Sequence, residues 1–411
     1  MSRTPIFSAQ GPQDTARRSS PSSVPLRIFA VCLTSVVTAV QYTNYSPLIP
    51  AIRGDLHINS GQAGLFSTLL FLGLAVMYIP AGILIDRYGA RPVLIGGSVL
   101  LAIGGVSLPL FPNIVWLLAC RFIAGCGTGA VFVAGASVAA GLGKQASLGQ
   151  GLYGGAVQIG SGLGLLVTPV LAAWFGWRGA FLSWGLLGLA AIVVWLLVNE
   201  GEEVPRAARS DLRAGLRSPS VWTLGLSHMG TFGLGNAMAA WLAIYLAHEY
   251  SLSLALAATF SSLALLSGMF FRPLGGIMLA RRIVRPIPLL RLGTSMCCAG
   301  VGVLAIPLRS PPLTVLGMAL IAIGATIPYT PVFNEAAHLR SVGKGVAQGL
   351  LSVFSTPSVL LGPPLIGFLF DWTGSFSYAF GAMLLFGAAA ITASFLAGPA
   401  VKRETTRPDD M

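Results

Sequence analysis

Two arginines lie inside long apolar stretches, where a charged side chain is costly unless it is paired. Arg121 lies within residues 115–140, and Arg272, followed by Pro273, lies within residues 254–279. A guanidinium group carries five N–H donors that match the oxygens of a carboxylate or a similar oxyanion. We therefore take both arginines as candidate anion-binding residues. The alternative for each is a structural arginine that donates to backbone carbonyls.

Acidic residues are almost absent from these apolar stretches. A carrier of cations or basic drugs needs a buried carboxylate to offset the charge of its ligand. The residue types inside the stretches therefore favour an anionic solute over a cationic one.

Further polar residues within the apolar stretches are candidate substrate contacts, although each could also be satisfied by helix packing. They are Gln41, Tyr42, Asn44, His228, Asn236, Tyr329, Thr330 and Asn334. His228 could gain and lose a proton near neutral pH and so couple protons to transport.

Sites for other chemistry are not indicated. The five cysteines show no metal-ligand spacing, and no nucleophile and base are spaced as a catalytic pair. The series Gly125-x-Gly127-x-Gly129 follows no strand, so it indicates close helix packing and not a nucleotide loop. We expect no enzymatic activity, no cofactor and no metal.

The composition identifies the elements that must position these residues. Of 411 residues, 55% are hydrophobic and 9% are charged, and the mean hydropathy is +0.79. The apolar residues form blocks of about 20, the length of a helix that crosses a bilayer. The net charge of +12 falls in short segments between these blocks, so it indicates membrane topology and not a nucleic-acid partner.

Apolar runs, broken by Gly, Pro and charge, predict an all-α membrane protein with twelve transmembrane helices. The predicted spans 1 to 12 are 27–50, 62–85, 92–111, 115–140, 150–174, 178–198, 220–247, 254–279, 287–307, 313–337, 347–370 and 376–398. The predicted domains are a disordered tail 1–25, a six-helix bundle 26–198, a linker 199–219, a second six-helix bundle 220–398 and a tail 399–411.

Lys and Arg predict the orientation of the chain in the membrane. Nearly all of those between spans fall on the side that carries both termini, and the other side holds only Arg53, Arg178 and Arg309. We expect a multi-pass protein of the inner cell membrane, with both terminal tails and the linker in the cytoplasm.

The two halves of the sequence resemble each other. The segment from Gly82 to Arg91-Pro92 after span 2 matches the segment from Gly276 to Arg285-Pro286 after span 8, 194 residues later. A duplicated unit of six spans explains the match, and it predicts two pseudo-symmetric bundles.

The segment after span 2 resembles motif A of the major facilitator superfamily, G-x-x-x-D-x-x-G-x-R. Its residues here are Gly82, Asp86, Arg87, Gly89 and Arg91. The resemblance implies two bundles that rock about a central cavity lined by spans 1, 4, 7 and 10. It also implies that Asp86 contacts the positive N-terminal end of span 11 and favours an outward-facing state.

Glu335 and His338 lie at the end of span 10, beside Arg340 and Lys344. They are typical of an ion-pair cluster at a gate, and a role in proton coupling is the alternative.

Three groups within the superfamily resemble this sequence in part. Nitrate and nitrite porters carry an arginine on both span 2 and span 8, but Tyr78 stands where the first would be. Monocarboxylate and oxalate/formate carriers use a single arginine on span 8, which Arg272 resembles. The segment from Asn44 to Pro50 is similar to cyanate-type members.

The sequence therefore predicts a monomeric secondary transporter that moves a small organic anion by alternating access, by proton symport or exchange. Its expected partners are that solute, protons and the lipid bilayer. Two alternatives stay open: a proton-linked efflux antiporter for drugs or metabolites, and a membrane sensor that binds a solute without moving it.

Overall fold

The computed structural model describes residues 22–58, 60–198 and 212–405, and within these ranges the regular structure is helical, with no strand. Ten helices are long and apolar enough to cross a membrane. One of them, Gly143–Leu197, reverses at Gly176 (φ 69°) and holds two spans. With the shorter apolar helix Val24–Val40 the total is twelve, which confirms the predicted fold class.

The helices follow the predicted spans closely. Spans 1 to 6 comprise Val24–Val40, Ser60–Tyr88, Ala90–Ser107, Ile114–Ala140 and, for spans 5 and 6, Ala146–Leu197. Spans 7 and 8 comprise Pro219–His228, Met229–Gly233, Leu234–Tyr250, Leu254–Leu266 and Gly268–Ala280. Spans 9 to 12 comprise Pro286–Ala305, Pro311–Thr326, Tyr329–Ala337, Lys344–Thr373 and Phe376–Thr405. Short helices lie at Ser46–Leu48, Ile49–Leu56, Leu108–Leu110, Gly143–Gln145 and Leu212–Arg217.

Four spans are interrupted within the apolar region. Span 1 ends its helix at Val40, span 7 contains a π-helical turn at Met229–Gly233, span 8 breaks at Ser267, and span 10 breaks at Pro328. Irregular backbone is tolerated at membrane depth only where protein or a cavity satisfies it. The four breaks therefore indicate where a central site can be built.

The two bundles repeat one side-chain contact. Arg91, at the start of span 3, donates to the carbonyl oxygens of Trp195 and Leu196 at 2.8 and 2.9 Å. Arg291, at the start of span 9, donates in the same way to Ser394 and Phe395 at 3.2 and 2.9 Å. Arg91 thus reaches carbonyls in the last turn of the span 6 helix, which lack partners within that helix. Arg291 reaches carbonyls inside the span 12 helix, where Pro399 has no N–H to donate to the Phe395 carbonyl.

The bundles meet along two pairs of spans, 2 with 11 and 5 with 8. A side chain added at Gly82 would collide with the backbone of Gly345, and one added at Gly151 would collide with that of Arg272. We call the end of the molecule that carries Lys144 and Arg340 the basic end, and the opposite end the far end. The contacts between bundles concentrate toward the basic end, since the far halves of spans 7, 8 and 10 pack little against the first bundle.

The far end carries two ion pairs. Arg178 donates to Asp55 at 2.8 Å, and Arg309 donates to Glu249 at 2.9 Å. Each pair joins two segments of the same bundle, the first pair in the first bundle and the second pair in the second, so neither pair holds the two bundles together.

The predicted tails and linker fall largely outside the described residues, at 1–21, 199–211 and 406–411. The described part of the linker holds the helix Leu212–Arg217, and the helix of span 12 continues to Thr405, beyond the predicted end at 398. Near its end, Glu404 accepts hydrogen bonds from the hydroxyls of Ser218, Ser220 and Ser341. These bonds attach the end of span 12 to the starts of spans 7 and 11.

Candidate substrate site

Arg272 lies in span 8, five residues after the break at Ser267, and its side chain is buried. Its Nη1 donates to the Gly154 carbonyl at 3.0 Å, across the interface with span 5. Its guanidinium carbon lies 4.7 Å from the centre of the Tyr329 ring, and its Nε has no hydrogen-bond partner. A buried guanidinium with an unused donor is able to bind an oxyanion.

A small cavity lies beside Arg272, between spans 5, 7, 8 and 10. Its polar lining is Gln158, Asn236, Thr326 and Arg272, and the remainder is apolar, including Met238 and Met318. It has about 40 Å³ of space for the centres of water molecules. That is room for a few waters, so in this conformation the cavity fits only a small solute or the head of a larger one.

His228 lies beside the same arginine. Its ring stacks on Phe232 at 5.3 Å and packs against Phe333, while Arg272 lies 5.9 Å from the Phe232 ring. Phe232 and Tyr329 therefore contact both His228 and Arg272. The Nδ1 of His228 and the hydroxyls of Tyr329 and Thr330 are buried without partners. Buried polar groups are normally hydrogen-bonded, so we expect these three to bind a ligand or ordered water.

The π-helical turn places His228 and Phe232 at this site. It holds Gly230 and Gly233, where an added side chain would collide with Ala390 and with Ser358. The glycines thus let span 7 lie against spans 11 and 12, and the wider turn re-aims the residues beside it. Such turns frequently mark functional sites.

Arg121 occupies a different environment, although it also is buried. It donates to the carbonyls of Phe66 at 3.2 Å and Gln41 at 2.9 Å, and to the side chain of Asn44 at 3.1 Å. The ring of Tyr45 packs on its guanidinium group. These contacts join span 4 to spans 1 and 2 and match the structural alternative for Arg121.

The other polar residues divide between several places. Gln41 and Asn44 bind Arg121 and each other, whereas Asn236 lines the Arg272 cavity. Tyr42 lines a second small cavity with Tyr78 and Phe232, next to the first. Asn334 was expected in the central cavity, but it lies toward the basic end and donates to the Ser147 hydroxyl at 3.0 Å. The helix Tyr329–Ala337, which contains Asn334, packs against span 5 between the Arg272 cavity and the basic end.

The motif A residues lie at the basic end. Asp86 accepts hydrogen bonds from the backbone N–H groups of Gly345 at 2.6 Å and Val346 at 3.0 Å, in the first turn of span 11. A carboxylate is stabilised there by the helix dipole and by N–H groups without partners in the helix. Gly89 adopts φ 87° where span 2 ends. Arg87 stacks on Tyr88.

Glu335 forms no ion pair within the part of the chain that the structure describes. It lines a pocket at the basic end with Ser147, Arg285 and His338, and His338 contacts the Asn334 carbonyl at 2.6 Å. The predicted ion-pair cluster at Glu335 is therefore not formed in this conformation.

The sequence analysis missed Gln158, Phe232 and Thr326, all of which line the Arg272 cavity. Gln158 could have been found as a polar residue in an otherwise apolar part of span 5, but the uncharged polar candidates were taken only from spans predicted to line the central cavity. Among the described residues, no group of three or more His, Cys, Asp or Glu could hold a metal ion.

Comparisons with known proteins give one family. The family model of the Major Facilitator Superfamily matches residues 31–344. The chain is 25% identical over 358 residues to the nitrite extrusion protein of Bacillus subtilis, covering 85% of this chain and 89% of that protein. It is 23% identical over 412 residues to the hexuronate transporter of the same organism, covering 91% and 94%. The solved structure of the transporter FucP in the outward conformation superposes with a TM-score of 0.74 at 16% identity, covering 91% of this chain and 98% of that one.

Proposed function

Because the chain belongs to the Major Facilitator Superfamily, we propose that it is a secondary transporter for a small organic anion, which binds at Arg272. The protein spans the membrane many times, and members of this family move solutes across it. The solute class, the coupling to protons and the orientation in the membrane are parts of this proposal.

The unused Nε of the buried Arg272 is the observation that carries the proposal. A buried cation without a carboxylate partner is unfavourable, and a bound anion removes that penalty. Among the residues that the structure describes, the lining of the cavity includes no Asp or Glu. This absence disfavours a cationic solute, which would meet the arginine without a compensating charge.

The remaining lining supports an organic anion over an inorganic one. The side-chain amides of Asn236 and Gln158 can donate to an anionic head, and Met238, Leu242 and Met318 can pack on an apolar body. The names of the two relatives support an anion in general, since one is described by nitrite and the other by hexuronate.

We propose proton symport through His228. A second positive charge on His228 would repel Arg272 across the shared ring of Phe232. An anion bound at Arg272 would offset that repulsion, so the proton and the anion would bind together and leave together. Coupled binding of this kind is what symport requires.

We also propose that the basic end faces the cytoplasm, by the excess of Lys and Arg at that end. In this orientation the contacts of Asp86 with Gly345 and Val346 close the cytoplasmic end of the protein. The conformation is therefore closed toward the cytoplasm. Breaking these contacts would open a path from Arg272 to the cytoplasm.

Uptake into proteoliposomes tests the proposal. Purified protein should accumulate labelled methanesulfonate, an anion too acidic to be protonated near neutral pH, when the outside is made acidic. A labelled lipophilic cation should not be transported. Transport of the cation without the anion would support the efflux alternative, and binding of the anion without transport would support the sensor.

Nitrate is the second candidate solute, since one relative is named for nitrite. An organic anion is favoured over nitrate because Tyr78 lines the cavity of Tyr42 and Phe232, and the described lining of that cavity includes no arginine. Competition separates the two candidates: excess nitrate should inhibit methanesulfonate uptake weakly if a single arginine serves an organic anion, and completely if nitrate is the solute.

A further inference from the structure

A larger cavity, which we call the lateral cavity, lies in the far half of the second bundle, between spans 7, 8 and 10. It has about 570 Å³ of space for the centres of water molecules, far more than the 40 Å³ beside Arg272. Three residues, Ala264, Met318 and Ala322, line both cavities. The two cavities are therefore neighbours that share a wall of small or flexible side chains.

The lining of this lateral cavity is unsuited to a polar ligand. Its side-chain hydroxyls belong to Thr314 and Tyr250, which hydrogen-bond to each other at 2.7 Å. The rest of the lining is apolar. An apolar cavity of this kind favours hydrocarbon over water.

The cavity opens on the apolar outer surface of the bundle. Phe260, Leu263 and Val315 line its mouth and are 45%, 59% and 65% exposed. In a chain that spans a membrane, exposed apolar side chains at this depth face lipid. The mouth thus faces the bilayer and not the aqueous phase.

We propose that this lateral cavity binds the alkyl chain of an anionic solute whose head group is held by Arg272. The inference rests on the proposed anion site and adds the class of solute: amphipathic anions with a tail of several carbons. Along span 10, Ala322 in the shared wall lies four residues from Thr326 in the Arg272 cavity, a rise of about 6 Å. Val315 at the mouth lies eleven residues from Thr326, a rise of about 16 Å. A tail that passes the wall at Met318 enters the lateral cavity directly.

The test compares two sulfonates in proteoliposomes, because both stay ionised and differ only in tail length. Initial uptake of labelled methanesulfonate and octanesulfonate is measured for wild type, for Ala319→Trp and for Val315→Trp. Ala319 and Val315 line the lateral cavity and not the cavity of Arg272. Leu316→Trp is the matched control, because Leu316 is exposed on the same helix and lines neither cavity.

Both cavity variants should lower octanesulfonate uptake at least about tenfold, which is the loss expected when two methylene groups are no longer buried. Methanesulfonate uptake and the melting temperature should stay at wild-type values, as should everything measured for Leu316→Trp. Unchanged octanesulfonate uptake in both variants would overturn the inference. So would equal loss of both sulfonates in folded variants, because the cavity would then not act on the tail.

Two further outcomes separate the causes of failure. If wild type transports neither sulfonate, the proposed function fails. If wild type transports methanesulfonate but octanesulfonate uptake ignores both variants, only the lateral site fails. Phospholipid that remains bound to purified wild type and is lost in Ala319→Trp, with octanesulfonate uptake unchanged, would assign the cavity to membrane lipid and contradict the inference.

Discussion

The guanidinium carbon of Arg272 lies over the ring of Tyr329, 4.7 Å from its centre, and both residues have a buried polar group without a hydrogen-bond partner. The two residues come from spans 8 and 10, each of which is interrupted next to the contact. An unused N–H of Arg272 and an unused hydroxyl of Tyr329 are thus buried where spans 8 and 10 meet. An anion with several acceptor oxygens can satisfy groups that the protein leaves unpaired.

Arg121→Lys should destabilise the protein without abolishing transport. Lysine cannot reach the Phe66 carbonyl, the Gln41 carbonyl and the Asn44 side chain at once, so buried acceptors lose their donors. We expect the melting temperature to fall by roughly 5 °C or more, measured by the fluorescence of a thiol-reactive or intrinsic probe during heating. Transport measured well below that temperature should persist. Lost transport with an unchanged melting temperature would place Arg121 in the substrate site.

Arg91→Ala and Arg291→Ala should destabilise their own bundles to a similar extent. Each variant removes two hydrogen bonds to backbone carbonyls of the last span of its bundle, at a cost of about 1–3 kcal/mol. Since the sites lie in separate bundles, the double variant should show the sum of the two effects in denaturant unfolding. Arg340→Ala, at an exposed position, is the control. A large effect from one arginine and none from the other would contradict the pseudo-symmetric role.

Asp86→Asn should open the basic end. The variant removes the charge that accepts hydrogen bonds from Gly345 and Val346 at the start of span 11. Charge-assisted bonds of this kind contribute about 1.5–3 kcal/mol, so the open population should rise about tenfold or more. Spin labels at Lys144 and Arg340, one in each bundle, report the separation as a longer distance.

Asp371→Asn is the control for that experiment, since Asp371 is exposed at the other end of span 11. The same distance distribution in wild type and in Asp86→Asn would remove Asp86 from the gate.

His228→Gln should uncouple anion movement from protons. Glutamine keeps a polar group beside Phe232 and Arg272 but cannot carry a proton, so the anion no longer brings one with it. Accumulation driven by an acidic exterior should be lost, while exchange of labelled for unlabelled anion at equal pH should persist at a reduced rate. Accumulation that still follows the pH gradient in this variant would assign coupling to another group.

The fold followed from the sequence because length and hydropathy constrain helices in a bilayer strongly. Even the short helix Val24–Val40 and the reversal at Gly176 fall where apolar runs and their breaks predicted spans. The sequence alignment of the two halves did not predict which residues make equivalent contacts. Arg91 aligned with Arg285 by motif, yet Arg291 makes the equivalent contact, because the two loops before spans 3 and 9 differ in geometry.

The site followed only in part. Arg121 and Arg272 share the same kind of sequence context, and the difference between them lies in partners from distant spans. The Gln41 carbonyl is available to Arg121 because the helix of span 1 ends at Val40. No pattern of residues in the sequence predicted that end. The π-helical turn beside His228 is likewise a consequence of packing against spans 11 and 12.

Exchange of labelled methanesulfonate in proteoliposomes, compared between wild type and Arg272→Lys, tests the assignment of the anion site most directly. Lysine keeps the positive charge but loses the planar set of donors that a guanidinium offers to an oxyanion. Exchange should fall at least about tenfold, which corresponds to 1.4 kcal/mol of lost binding, and the melting temperature should stay near that of wild type. Exchange at the wild-type rate in folded Arg272→Lys protein would contradict the account.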